Sequence, residues 1–165
     1  MPTPFSLTGY ILIVGAGATL FMDGFALILK KLLGIPPLNY AMVGRWAGHA
    51  VRGRLIHSPV TSSPPVAGEA VLGWSIHYLT GVVFAGLFLW IVGPQWVTTP
   101  RPLPAILFGA ASIIAPFLIL QPGMGAGLAA RKTPKPNVAR LRSLLAHLSF
   151  GVGLYATGLV LAMAA

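Results

Sequence analysis

Along this chain, long apolar runs alternate with short connections marked by glycine, proline and basic residues. Four runs occupy residues 6–29, 70–92, 103–120 and 141–163. Each approaches the roughly 20 residues that a helix needs to cross bilayer hydrocarbon. Residues 38–53, "LNYAMVGRWAGHAVRG", follow a different pattern. Arg45, His49 and Arg52 fall at i, i+4 and i+7, while Val43, Trp46, Ala47 and Ala50 cover much of the other side. That spacing predicts a short amphipathic helix lying on the membrane surface, with Asn39 as its N-cap. Residues 58–69 carry no periodicity and predict irregular chain, and the proline-rich 93–104 segment predicts a tight connection. The expected architecture is all-α: a single transmembrane domain over residues 1–165, built as a four-helix bundle with one interfacial helix, and with loops at 30–69 and 121–140.

Composition strengthens this picture. The chain has 165 residues, 56% hydrophobic and 8% charged, against about 25% charged in a typical soluble domain. Asp23 and Glu69 are the only acidic residues, too few to solvate a globular surface. The first run lacks a basic leading segment, is long, and contains Asp23, so it is expected to stay as a transmembrane helix instead of being cleaved. The net charge of +9 suggests anionic lipid at a cytoplasmic face and not nucleic acid. Ten of the eleven basic residues lie in or beside the 30–69 and 121–140 loops; Arg101 alone lies on the other side. Positive residues concentrate on the cytoplasmic side of membrane proteins. Both termini are therefore expected outside, in a bacterial inner membrane. The absence of cysteine rules out disulfides, thiolate metal sites and cysteine nucleophiles.

The chemistry concentrates in polar stripes. Glu69, Gly73, His77, Gly81 and Ala85 share one face of the second run, and Ala16, Thr19, Asp23 and Ala26 one face of the first. The third aligns Ala105, Gly109, Ser112 and Pro116, and the fourth Ser143, His147, Gly151, Tyr155 and Gly158. Such faces are suited to other helices, not to lipid. Pro116 cannot donate its backbone N–H, which frees the Ser112 carbonyl and predicts a kink. At about 1.5 Å of rise per residue, Asp23 and His147 lie roughly 10 Å, and His77 roughly 12 Å, inside the cytoplasmic end of their helices. Ionisable side chains at that depth are costly without partners. A ligand site is therefore expected from Asp23, His77 and His147, with Glu69 at its mouth and Ser112 and Tyr155 alongside.

Two imidazoles and a carboxylate suit a divalent metal held by His77, His147 and Asp23, or a proton relay. Haem held by His77 and His147 is a further reading, since Gly73, Gly81 and Gly151 leave room for a flat macrocycle. Each residue also has a purely structural reading, as a polar tie between helices. No serine triad or H-E-x-x-H pattern is present, so no catalytic residue is expected. The "QPGMGAG" segment at 121–127 matches a glycine pattern with no strand before it. It predicts a flexible turn at the membrane surface. The competing reading has it hold a phosphate or lipid headgroup together with Arg131 and Lys132. Arg45, His49 and Arg52 are candidates for the same headgroup contacts. His49 and His57 are otherwise expected to be interfacial loop residues.

"GATLFMDGFAL", "GIPPLNYAMVGRWAGH", "GEAVLGWSIHYLTGVVFA", "APFLILQPGMGAG" and "RLRSLLAHLSFGVGLY" together resemble domain-of-unknown-function family 2938, and the likeness covers nearly the whole chain. The resemblance implies a small bacterial inner-membrane protein with four helices; it assigns no activity, substrate or residue role. The functional expectation is binding or transport of a cation or a small polar or lipid ligand. The alternatives are an accessory subunit of a larger membrane complex, or a haem or metal carrier. Four helices alone make a pore with difficulty, which favours a homodimer if the role is transport.

Overall fold

The computed structural model describes residues 6–164. All regular structure among them is helical. The helices are α1 (Leu7–Leu33), α2 (Tyr40–Ala50), α3 (Glu69–Val92), α4 (Pro102–Ser112), the single turn α5 (Gln121–Gly123) and α6 (Pro136–Met163). Four segments are long and apolar enough to cross a membrane: Leu7–Leu33, Glu69–Val92, Pro102–Gly123 and Pro136–Met163. The chain is a multi-pass membrane protein.

The helix ends show why the elements start and stop where they do. Ser6 caps α1 by accepting from Gly9 N at 3.2 Å. At the other end Gly34 takes a left-handed φ of 65°, and its N–H reaches Lys30 O at 3.1 Å. Lys30 and Lys31 fill the last turn, where a helix dipole favours cations. This carries α1 past the end of its apolar run. Asn39 Oδ1 accepts from Ala41 N at 3.1 Å and starts α2, as its spacing predicts. Helix α6 begins at Pro136, ahead of the apolar run, because proline suits the first helical position. Downstream of α4, Pro116 opens a π-helical stretch, Pro116–Leu120, in place of a simple kink.

By its contacts the chain forms two compact units. The first contains the described residues up to Pro37, Tyr78–Ser112, and those from Leu145 onward. In it α1, the later part of α3, α4 and the later part of α6 pack as a four-helix bundle. Its core includes Tyr10, Val14, Ala18, Phe88, Leu89, Trp96, Phe150 and Leu154. Phe88 meets Trp96 edge-on, with ring centroids 4.8 Å apart, and packs tilted against Phe108 at 5.4 Å. Glycines bring the backbones together: a Cβ on Gly15 would stand 2.5 Å from Val82 Cα, and one on Gly109 2.6 Å from Gly151 Cα. This is small-residue packing of the kind membrane helices use when no water drives them together. Leu20, Trp90, Leu107 and Val160 are exposed, as lipid-facing residues would be.

The second unit contains Leu38–His77 and Ile113–Leu144. Here α2 crosses the start of α3 at Gly44 and Gly73. A Cβ on Gly44 would overlap Glu69 O, and one on Gly73 would overlap Tyr40 O. The strand-free chain after α2 is tied to the chain after the π-helix. His57 N donates to Gly123 O and Val60 N to Met124 O, both at 3.0 Å.

Candidate functional site

The polar residues predicted from the stripes each sit with a specific neighbour. In the first unit, Tyr78 Oη donates to Asp23 Oδ2 at 3.1 Å. Ser112 Oγ lies 2.7 Å from both Gly109 O and His147 Nδ1. A hydroxyl has one proton and a carbonyl can only accept. The proton of Ser112 therefore goes to Gly109 O, and His147 Nδ1–H donates to the hydroxyl. That polarity is the reverse of what nucleophile activation needs, since the base must take the serine proton. Tyr155 is partly buried against the bundle core. In the second unit, His77 stacks on Tyr40 with ring centroids 4.1 Å apart and meets Trp74 edge-on at 5.7 Å. Among the described residues, no group of three or more His, Cys, Asp or Glu side chains is placed to hold a metal ion. Tyr78 is absent from the stripe reading because it lies one position off the Glu69–Gly73–His77–Gly81 series, although its hydroxyl needs a partner when buried.

The surface-helix cations point in a different direction from the one their spacing suggests. Arg45 makes a two-pronged ion pair with Glu69: Nη2 to Oε1 at 2.7 Å and Nε to Oε2 at 2.8 Å. Arg45 Nη1 also donates to Ser63 O at 3.2 Å, and Glu69 Oε2 accepts from Val66 N at 3.0 Å. The hydrogen bond to Glu69 raises the Arg45 pKa above its ordinary value. His49 Nε2 sits 3.0 Å from Pro64 O. Arg45 and His49 thus fasten α2 to residues 61–69. Arg52 is exposed.

The glycine segment is part of a built structure. Residues Ile56, His57, Pro122, Gly125, Gly127, Leu128, Arg131 and Lys132 surround a cavity of about 170 Å³. Gly125 has a φ of 93°, and a Cβ there would come 2.6 Å from His57 O, so this turn accepts only glycine. Ala129 and Ala130 are left-handed, with φ of 45° and 59°. Non-glycine residues held there are strained and cluster at functional sites. The turn is fixed from outside by Arg140 Nε, which donates to Ala129 O at 2.8 Å, and from inside by Lys132 N, which donates to Ala126 O at 2.9 Å. It folds Arg131 and Lys132 back over Gly127, where a Cβ would lie 3.0 and 2.9 Å from their Cγ atoms.

His57 forms part of the wall. The sequence suggests an interfacial loop residue, but its exposure is only 2%, because both its N–H and its ring are drawn onto Gly123. Nδ1 lies 3.1 Å from Gly123 O, while Nε2 is buried with no hydrogen-bond partner among the described residues. No acidic residue lines the cavity, and Glu69 is paired with Arg45. The site thus presents two cations, while the unsatisfied imidazole nitrogen of His57 is buried within the wall. Sequence reading finds Arg131, Lys132 and the glycines; it takes His57 for an interfacial loop residue and not for part of this wall.

No curated protein and no solved structure matches the chain significantly. A family model described as "Protein of unknown function (DUF2938)" matches residues 12–161. That span takes in all of α2–α5, the cavity, and nearly all of α1 and α6, so this multi-pass membrane protein belongs to the DUF2938 family.

Proposed function

We propose that this is a bacterial inner-membrane protein, with both termini outside, that binds a phosphate-type anionic group in the His57–Arg131–Lys132 cavity at its cytoplasmic side. The orientation rests on the ten basic residues in and beside the 30–69 and 121–140 loops. The binding rests on one observation: Arg131 and Lys132 line a cavity walled by a glycine turn, with no carboxylate on it. Arginine's fork and lysine's point charge are the usual recognition elements for phosphate oxygens. A cavity of about 170 Å³ falls below the roughly 300–1,000 Å³ that encloses a whole drug-sized ligand. A headgroup fits that size better than a complete cofactor does. In this reading Asp23–Tyr78 and Ser112–His147 are ties within the first unit.

The test is binding of phosphatidic acid to the purified protein in mild detergent, followed by native mass spectrometry. Replacing both Arg131 and Lys132 by alanine is expected to weaken binding by roughly tenfold or more, the scale of lost charged hydrogen bonds. Arg101→Ala, on the opposite side of the chain's charge distribution, is expected to leave it unchanged. Equal binding by all three proteins would sink the proposal.

A further inference from the structure

The exposed apolar side chains of this protein are not confined to its four spans. Val51, Leu55 and Ile56, in the turn that follows α2, are 86%, 60% and 72% exposed. The turn is not loose. Gly53 takes a left-handed φ of 84°, Gly53 N donates to Ala50 O at 2.9 Å, and Arg54 N donates to His49 O at 3.1 Å. Those two bonds are the pattern of a glycine-stopped helix end. Further on, Trp46 Nε1 donates to Leu55 O at 2.9 Å, and His57 N is tied to Gly123 O. Three apolar side chains are therefore held out from the protein by a turn fixed at both ends.

The helix that carries this turn lies beside the end of a span. Helix α2 crosses α3 at Gly73, close to the start of α3 at Glu69 and roughly 6 Å along it at about 1.5 Å per residue. The α2 face that its spacing assigns to the membrane is used inside the protein. Val43 is buried, Gly48 packs on Val66, and Trp46 lies over Gly123. What α2 leaves open is its C-terminal turn, where Arg52 and Arg54 are exposed among the apolar residues. No acidic residue occurs between Lys30 and Glu69 to neutralise them.

We infer that residues 51–56 are a docking surface for an anionic bilayer: Val51, Leu55 and Ile56 enter the headgroup region, and Arg52 and Arg54 meet lipid phosphates. Exposed apolar patches rimmed by polar groups mark interaction surfaces. Cations beside apolar side chains favour anionic lipid, since their stems can lie along the apolar surface while their charge reaches the phosphates. Charge also argues against a second copy of this chain as the occupant. Its only carboxylates are Asp23, which accepts from Tyr78, and Glu69, which is held by Arg45. A leaflet of phosphatidylglycerol offers a phosphate at every headgroup.

The test puts a spin label on the single-cysteine proteins Val51→Cys, Leu55→Cys, Ser62→Cys and Val160→Cys. Each is placed in nanodiscs of phosphatidylglycerol with phosphatidylethanolamine, and in nanodiscs of phosphatidylcholine. Relaxation by oxygen, which concentrates in lipid, is compared with relaxation by a neutral, water-soluble nickel chelate. Val160 on α6 serves as the lipid-facing reference and Ser62 as the aqueous one. Ile56 stays unlabelled because it also lines the cavity, so the result does not depend on anion binding there.

In the anionic discs the labels at 51 and 55 are expected to show an oxygen-to-nickel ratio several-fold above that of Ser62. The ratio is expected to fall in phosphatidylcholine, and adding Arg52→Gln with Arg54→Gln should bring the anionic-disc value down to that level. The lipid comparison needs no arginine variant, so a folding defect in that variant leaves the test intact. Nickel access equal to that of Ser62 in the anionic discs would overturn the inference. So would a high ratio indifferent to lipid charge, or shielding from both reagents. In the last case, spin–spin broadening would identify a second copy as the occupant.

Discussion

At the scale of single residues, what decides a side chain's role here is whether its hydrogen bonds are satisfied. Arg45 and Glu69 satisfy each other although 24 residues separate them, and each also holds a backbone group. Losing one partner from such a pair strands the other's charge, whereas replacing both leaves nothing to desolvate. Glu69→Gln and Arg45→Met are each expected to lower the thermal unfolding midpoint. The double variant should lie closer to wild type than the two separate losses combined would place it. A strictly additive double variant would show the pair to be uncoupled. None of this pairing is legible in the sequence. Glu69 is read there as the mouth of a ligand site, and Arg45 as a candidate for headgroup contacts. A contact between distant segments leaves no period, and for the same reason His57 is read only as an interfacial loop residue.

At the scale of elements, the sequence is far more informative. The four apolar runs and the Asn39-capped helix all appear as helices, because length and periodicity are local properties that no tertiary contact has to supply. Helix ends are less legible. The ends of α1 and α6 depend on Gly34, on Lys30 and Lys31, and on Pro136, which lie outside the apolar signal. The small-residue stripes are correctly suited to helix contact, and the glycines can be ranked by what lies over them. A Cβ on Gly151 would stand 2.7 Å from Ala105 O and 3.0 Å from Ile106 Cα, with only backbone there to yield. One on Gly24 would meet nothing within 4 Å. Gly151→Ala is expected to destabilise the bundle by about 1–3 kcal/mol, the usual cost of overpacking. Gly24→Ala should be neutral or stabilising by about 0.5–1 kcal/mol, because alanine is the better helix former. Thermal unfolding in detergent distinguishes them, and equal effects would contradict the packing.

At the scale of the whole molecule, the dominant quantity is the distribution of charge along the chain. The native sequence has no cysteine, so single cysteines report topology directly. With both termini outside, a cysteine at exposed Thr99 should react with an impermeant thiol reagent in intact cells. One at exposed Ser62 should react only after the membrane is opened. The reverse pattern would invert the orientation and put the cavity on the outer face. Charge distribution is legible because it is a sum over the sequence. The cavity is not, because it exists only where residues 56–57 and 122–132 are brought together.

The two left-handed alanines carry a consequence for how that cavity behaves. Ala129 and Ala130 hold a turn that costs on the order of 1–3 kcal/mol per residue, and Arg140 latches it at Ala129 O. Arg131 and Lys132 follow that turn directly, so it sets the backbone from which both side chains leave. In the proposed anion-binding reading, the backbone of the turn is already set before a ligand arrives.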